Sequence, residues 1–265
     1  MIPIKVLVPS GVLGLGFDLE ALNNGVKNNP DIISIDGGST DSGPYSLGSG
    51  TSKYSRAAIK AEWKSLMIAR EKANVPLVIG SCGTCGTNGM VDWMENITIE
   101  LAEELNQNIK IAKLYCQQEK NFIKKNFQLS KIFPLNPAPM LNDQLIEEMT
   151  NIVALAGAEQ IQECINTGAE IILAGRTTDT AIISALPLMK GANPGSSWHG
   201  AKVVECGALC STNPTSGVVM VEFDKTGFTV EPMSKNAFCT SETVAAHMLY
   251  ENADPYILHE PGGYM

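Results

Sequence analysis

Four stretches of this chain combine glycine with groups that can bind an anion or move a proton: Asp36–Gly43, Gly80–Thr87, Gly175–Thr180 and Glu205–Asn213. Asp36, Asp41, Asp179 and Glu205 are the acid/base candidates. Carboxylates crowded into one cleft repel each other, so one keeps its proton to higher pH and suits proton transfer. The same residues also serve locally, because Asp beside Gly and Thr commonly caps helices and makes turns. Arg176 stands with Thr177 and Thr178. A guanidinium in that setting can clamp a carboxylate or phosphate through two parallel hydrogen bonds. Alternatively it pairs with Asp36, Asp41 or Asp179 and shapes the loops. Ser39 and Thr40 add hydroxyls. Gly80, Ser81 and Gly83 lead into a helix, whose free N–H groups and dipole favour an anion. A plain turn capped by Thr or Asn is the alternative there. The Lys of a nucleotide-hydrolysing loop is missing.

Cysteine is the other reactive residue. Cys206, between Glu205 and Gly207, is a candidate nucleophile, although His199, His247 and His259 all lie away from it in sequence. A buried small thiol is the simpler use. Cys82 and Cys85 form a CxxC, and Cys206 and Cys210 could complete four thiolates for zinc or an iron–sulfur cluster. Glycine-rich turns accept cysteine without such a role, and no metal is expected. Seven cysteines, an odd number, in apolar or Gly-rich settings point to free thiols and a cytoplasmic location. The start, MIPIKVLVPSG, is too short and mixed for a signal peptide.

The elements that would position these groups can be read from periodicity. Lys5–Pro9, Ile32–Ile35, Pro76–Ile79, Ile109–Tyr115, Ile152–Ala156 and Ile171–Ala174 read as buried strands. Helices are expected over Phe17–Val26, Ser52–Ala73, Met90–Leu105, Glu119–Phe127, Leu141–Thr150, the segment around Ile161, Ala181–Met189 and Glu242–Glu251. Phe133–Pro139 holds three prolines and reads as an irregular crossing. Gly191–Gly200 reads as a loop, Val203–Cys206 as a short strand, and Gly217–Phe223 with Phe228–Glu231 as a β-hairpin. The first loop, GVLGLG, has the wrong spacing for a dinucleotide fingerprint and reads as a tight turn. The alternation predicts an α/β fold: a doubly wound, mostly parallel sheet with helices on both faces, plus a β-hairpin near the C-terminal part. A parallel sheet aligns its carboxyl ends, so the four loops can meet at one crevice.

With 265 residues and 44% hydrophobic content, the chain suits one large α/β domain. No run approaches the roughly 20 apolar residues of a membrane span. A net charge of −9 without a basic cluster argues against nucleic acid and anionic membranes as partners.

Several blocks are more specific than composition: VPSGVLGLGFD, IDGGSTDSGPYSLGSGTSKYSR, the glycine loop after PLVIGS, AGRTTDTA, VVECGA and ETVAAHMLYENADPYI. On these the chain resembles the acyclic terpene utilisation AtuA family of bacterial proteins, over essentially its whole length. The resemblance implies a single AtuA-like α/β domain over 1–265, which continues past Met265 in longer members, often into a small ferredoxin-like domain. It also implies a setting in the breakdown of citronellol and geraniol through CoA thioesters. Typical members carry smaller or polar residues where this chain has Cys82 and Cys85.

The reading that follows is an enzyme of small-molecule catabolism. It would act on an anionic carboxylate or acyl-CoA by lyase, hydratase or isomerase chemistry, without a cofactor, as a homo-oligomer. The alternatives are a non-catalytic binding or assembly subunit that needs a ferredoxin-like partner domain or chain, and a thiolate metalloprotein.

Overall fold

A computed structural model describes residues 3–38, 43–134, 138, 140, 141–250, 254, 256–257, 259–260 and 263–264. Its strands are runs of β-branched and aliphatic residues with almost no polar alternation. β1 (Ile4–Val8), β2 (Ile32–Asp36), β3 (Leu77–Gly80) and β5 (Ile171–Ala174) are buried almost throughout, as strands covered on both faces must be. β4 (Ile111–Leu114) is more open. It lies at one edge of a seven-stranded sheet of order β4-β5-β3-β2-β1-β6-β7. β1 to β5 run parallel. β6 (Val219–Phe223) and β7 (Phe228–Pro232) form the expected hairpin and extend the sheet antiparallel from β1. Asp224 makes the hairpin turn by accepting from the Thr226 and Gly227 amides at 2.6 and 2.8 Å.

Helix placement follows from the direction of each crossover. Moving from β1 through β2 and β3 to β4, the chain lays α1 (Leu19–Lys27), α3 (Arg56–Ala73) and α4 (Asn88–Leu105) on one face. A short α2 (Tyr45–Ser49) precedes α3. The chain then reverses to insert β5 between β3 and β4, so its later helices cover the other face. Those are α7 (Ala158–Asn166), α8 (Ala181–Met189) and α9 (Pro194–Val204), while α5 (Lys120–Gln128) and α6 (Asp143–Glu148) lie in the connection. α10 (Ser241–Met248) packs on the 3-10 turn Gly207–Cys210 that follows α9. Capping residues set the ends: Asp18 accepts from Glu20 N–H at 2.7 Å, and Ser55 from Ala58 N–H at 3.3 Å. Trp63 anchors the α3/α4 layer, its indole N–H donating to Thr98 Oγ1 at 2.9 Å.

Three expectations need correction. Ile152–Ala156 is not a strand. It passes beyond the ends of β4 and β5, where Ala154 N–H donates to Cys116 O and Ala156 N–H to Arg176 O. Leu155 is left 58% exposed, so five parallel strands are formed and not six. The expected loop Gly191–Gly200 and strand Val203–Cys206 are largely one helix, α9. Asn193 caps it by accepting from Ser196 N–H at 3.0 Å, and Pro194 fills the first helical position. Ala201, Val203 and Val204 then bury along the helix. Glu205 and Cys206 therefore follow a helix, not a strand. The Phe133–Pro139 crossing lies partly outside the described residues.

Candidate active site

β3 is followed by a helix on one face and β5, its neighbour, by a helix on the other. The carboxyl ends of such a pair mark the switch point where open α/β sheets bind ligands. Here the two loops fill that crevice with their own backbone. Ser81 N–H donates to Gly175 O at 2.8 Å and Cys82 N–H to Ala174 O at 3.0 Å. Ser81 Oγ donates to Thr177 O at 3.3 Å. Gly86, with φ of 65°, sits so close that a Cβ there would lie 2.3 Å from Arg176 N. Ser81 and Thr84 take positive φ of 46° and 71° without being glycine, a strain that the surrounding bonds sustain.

Open space remains on two sides: a cavity of about 430 Å³ lined by Thr84, Cys85, Leu155 and Arg176, and another one step along the edge, by the loops after β1 and β2. This second cavity, also of about 430 Å³, is lined by Ser10, Gly11, Gly38, Lys53, Tyr54, Thr84, Asp179, Cys206, Leu209 and Tyr250, among others. Asp36 and Arg176 are not part of its wall, but both bond Gly38, which is. The Arg176 guanidinium donates to Gly38 O and Thr84 O, each at 3.0 Å. Among the described residues its hydrogen bonds thus go to carbonyls, and it ties the loops after β2 and β3 to the loop after β5.

Asp36 ends β2 and is buried. One carboxylate oxygen accepts from Gly38 N–H at 2.9 Å; the other, Oδ1, has no partner among the described residues. Burial pushes its pKa well above the usual carboxylate range, and the charge of Asp179 pushes the same way. Arg176 and the Gly38 and Gly37 amides oppose the rise. Asp36 pairs in register with Gly80 on β3, so their side-chain directions share one face. The position a Gly80 Cβ would take lies 2.3 Å from Thr177 Oγ1. That hydroxyl is likewise buried and unpartnered among the described residues. Two buried polar atoms without partners among the described residues thus belong to nearby strand ends.

The remaining candidates divide. Asp179 and Cys206 reach the cavity wall. Gly80, Ser81 and Thr177 are spent on the stitched switch point. Gly83 packs on Met90, whose sulfur is 2.6 Å from where a Cβ would be. The Cys82, Cys85 and Gly86 amides donate to backbone carbonyls, so much of the expected anion loop is satisfied internally. Thr178 Oγ1 accepts from Ala181 N–H at 3.1 Å, at the start of α8. Glu205 is buried in an ion pair with Lys202 one helical turn back, and it is not part of the cavity wall. Ser39, Thr40 and Asp41 lie outside the described residues. No group of three or more His, Cys, Asp or Glu among the described residues is placed to share a metal ion, so Cys82, Cys85, Cys206 and Cys210 do not form one. Burial pushes the Cys82 thiol well above its ordinary pKa.

The first glycine loop is a turn, as its spacing indicates. Gly14 N–H donates to Glu62 Oε2 at 2.7 Å, and the Gly16 amide also bonds that carboxylate. Lys53 and Tyr54, which sequence reading passed over, form a wall of the cavity. Lys53 is the lone cationic residue between Lys27 and Arg56, in a Gly/Ser/Thr-rich run, and that isolation was the available signal. Its amide donates to Thr84 Oγ1 at 3.1 Å.

Against known proteins, the model of the family described as acyclic terpene utilisation family protein AtuA matches residues 46–263. The chain belongs to that family. The AtuA match covers Lys53, Tyr54, Thr84, Arg176, Asp179 and Cys206, and so most of the cavity. No curated protein and no solved structure matches the chain. Among the described residues, no helix of this AtuA protein is long and apolar enough to cross a membrane.

Proposed function

We propose that this protein is an enzyme of acyclic terpene utilisation that performs acid/base lyase, hydratase or isomerase chemistry on a small carboxylate or its CoA thioester. The observation that carries the reading is the carboxylate pair: Asp36, whose pKa is raised by burial and then by the charge of Asp179, with Asp179 itself on the cavity wall. Two neighbouring carboxylates that bias each other's hold on a proton are the parts that proton abstraction and return require. Asp179 takes the proton. Asp36 positions Gly38 through its amide. The Lys53 ammonium on the same wall faces the substrate's anionic end. Arg176, the other candidate for the anion clamp, holds the Gly38 and Thr84 carbonyls in place. A cavity of about 430 Å³ fits an acyl group or small acid, with a CoA chain left outside it.

The test is a thermal-shift screen of acyl-CoAs and small di- and tricarboxylates, followed by turnover assays on each binder. A ligand that binds raises Tm with its saturation. Asp179→Asn should keep the ligand-induced shift and lose turnover by roughly 10²–10⁴-fold. Equal turnover by wild type and variant rules out Asp179 as the base, and binding without turnover points to a non-catalytic subunit.

A further inference from the structure

Two sulfurs outside the site stand in direct contact. Cys210 closes the 3-10 turn Gly207–Cys210, and Cys239 precedes the cap of α10. Their Sγ atoms are 3.9 Å apart across 29 residues of sequence. Cys210 is fully buried, whereas Cys239 is part-exposed and lines an open cavity of about 550 Å³ beside β7. The two segments are already held in register next to the thiols. Thr212 N–H donates to Phe238 O at 2.9 Å, and Phe238 N–H to Thr212 Oγ1 at 3.0 Å. Closing to a disulfide bond length of about 2.05 Å needs an approach of roughly 2 Å and no change of pairing.

We propose that Cys239 and Cys210 form a reversible dithiol–disulfide site whose oxidant is a hydroperoxide. Cys239 has the marks of the attacking thiol and Cys210 those of the resolving one. The sulfur–sulfur contact with Cys210, 3.9 Å away, lowers the Cys239 pKa, while burial opposes it. Burial pushes Cys82, Cys116 and Cys164 the other way, Cys116 up to about 11. The thiolate attacks the terminal peroxide oxygen. An S–O bond forms, the O–O bond breaks, and the alkoxide leaves as the alcohol after taking a proton. Cys210 then attacks the Cys239 sulfenic sulfur. The S–S bond forms, the S–O bond breaks, and the hydroxyl departs as water with the Cys210 proton. Two thiols and one hydroperoxide thus give one disulfide, one alcohol and one water. Cys206 and Leu209, in the same turn, line the candidate active site, so the bond would stiffen one of its walls.

Hydrogen peroxide titration of the full chain, followed by non-reducing tryptic mapping, tests this. Lys225 and Lys235 separate the two cysteines into different peptides, while Cys206 and Cys210 share one and are told apart by fragment ions. The expected product is a Cys210–Cys239 linked peptide, two hydrogens lighter than its parts. It should form before Cys82, Cys116 or Cys164 reacts and be reversed by dithiothreitol. Cys239→Ser, at a part-exposed position, should abolish the link and leave Cys210 reduced. A link through Cys206, oxidation of Cys239 to sulfinic acid without a link, or two thiols that survive the titration would each overturn the proposal.

Discussion

Asp36 illustrates what a residue type tells and what its surroundings add. Its place at the end of an apolar run marked it as a strand-end carboxylate. That it would be wholly buried depends on Thr177 and the stitched loop, which come from 140 residues further along the chain and leave no local trace. The consequence is measurable in stability. A carboxyl whose folded pKa is raised binds its proton more tightly in the folded state. The folded state therefore loses stability as pH rises from the unfolded value, about 4, up to the raised folded value, at about 1.4 kcal/mol per pH unit. Asp36→Asn keeps an acceptor for Gly38 N–H and removes the titration. Urea midpoints measured from pH 4 to 7 should fall less steeply for the variant than for the wild type, and parallel curves would contradict a raised Asp36. Arg176 makes a different case. Its buried guanidinium holds two carbonyls and also lines a cavity. Lys cannot reproduce that fork. Arg176→Lys should cost about 2–3 kcal/mol, seen as a Tm lower by roughly 5–10 °C in a chain of this size.

Elements were legible where one local signal dominated. Continuous Ile/Val/Leu runs gave β1, β2, β3 and β5, and the Asp-Lys-Thr-Gly turn gave the hairpin. Val203-Val204 misled because β-branched pairs favour strands, while Asn193-Pro194, a helix start, carried the deciding information ten residues earlier. Ile152–Ala156 misled because an apolar run does not reveal whether a slot in the sheet is free. The loop after β3 is the element on which the site depends most. It has positive φ at Ser81, Gly83, Thr84 and Gly86 and leans directly on Arg176. Gly86→Ala would place a Cβ 2.3 Å from Arg176 N at a φ that disfavours side chains. It should destabilise on the order of 3 kcal/mol. Because the loops are joined through Arg176, it should also weaken any ligand bound in the cavity, and unchanged affinity would uncouple the two.

At the scale of the molecule, one sheet is shared by two apolar layers, with Trp63 in the α3/α4 layer and Trp198 packed against the other. Neither layer can release its sheet face without exposing the strands that the other covers. Variants that retain only Trp63 or only Trp198 should therefore report coincident urea transitions, whereas separated midpoints would show that the layers unfold independently. The general plan was visible in the sequence as alternation. The stitching of the loops after β3 and β5 was not, because it results from backbone contacts between segments that are about 95 residues apart.

The Glu62 carboxylate on the Gly14 and Gly16 amides has a consequence for what this protein refuses. Amides after a first strand are where a nucleotide's phosphate would settle. Here the place is held by a tethered anion whose effective concentration is set by the fold and is not diluted by solvent. Any phosphate arriving from solution must displace that intramolecular competitor. It would do so on half-buried ground, where Glu62 already has its hydrogen bonds. The loop whose outline most resembles a dinucleotide site thus has its amides already bonded within the fold.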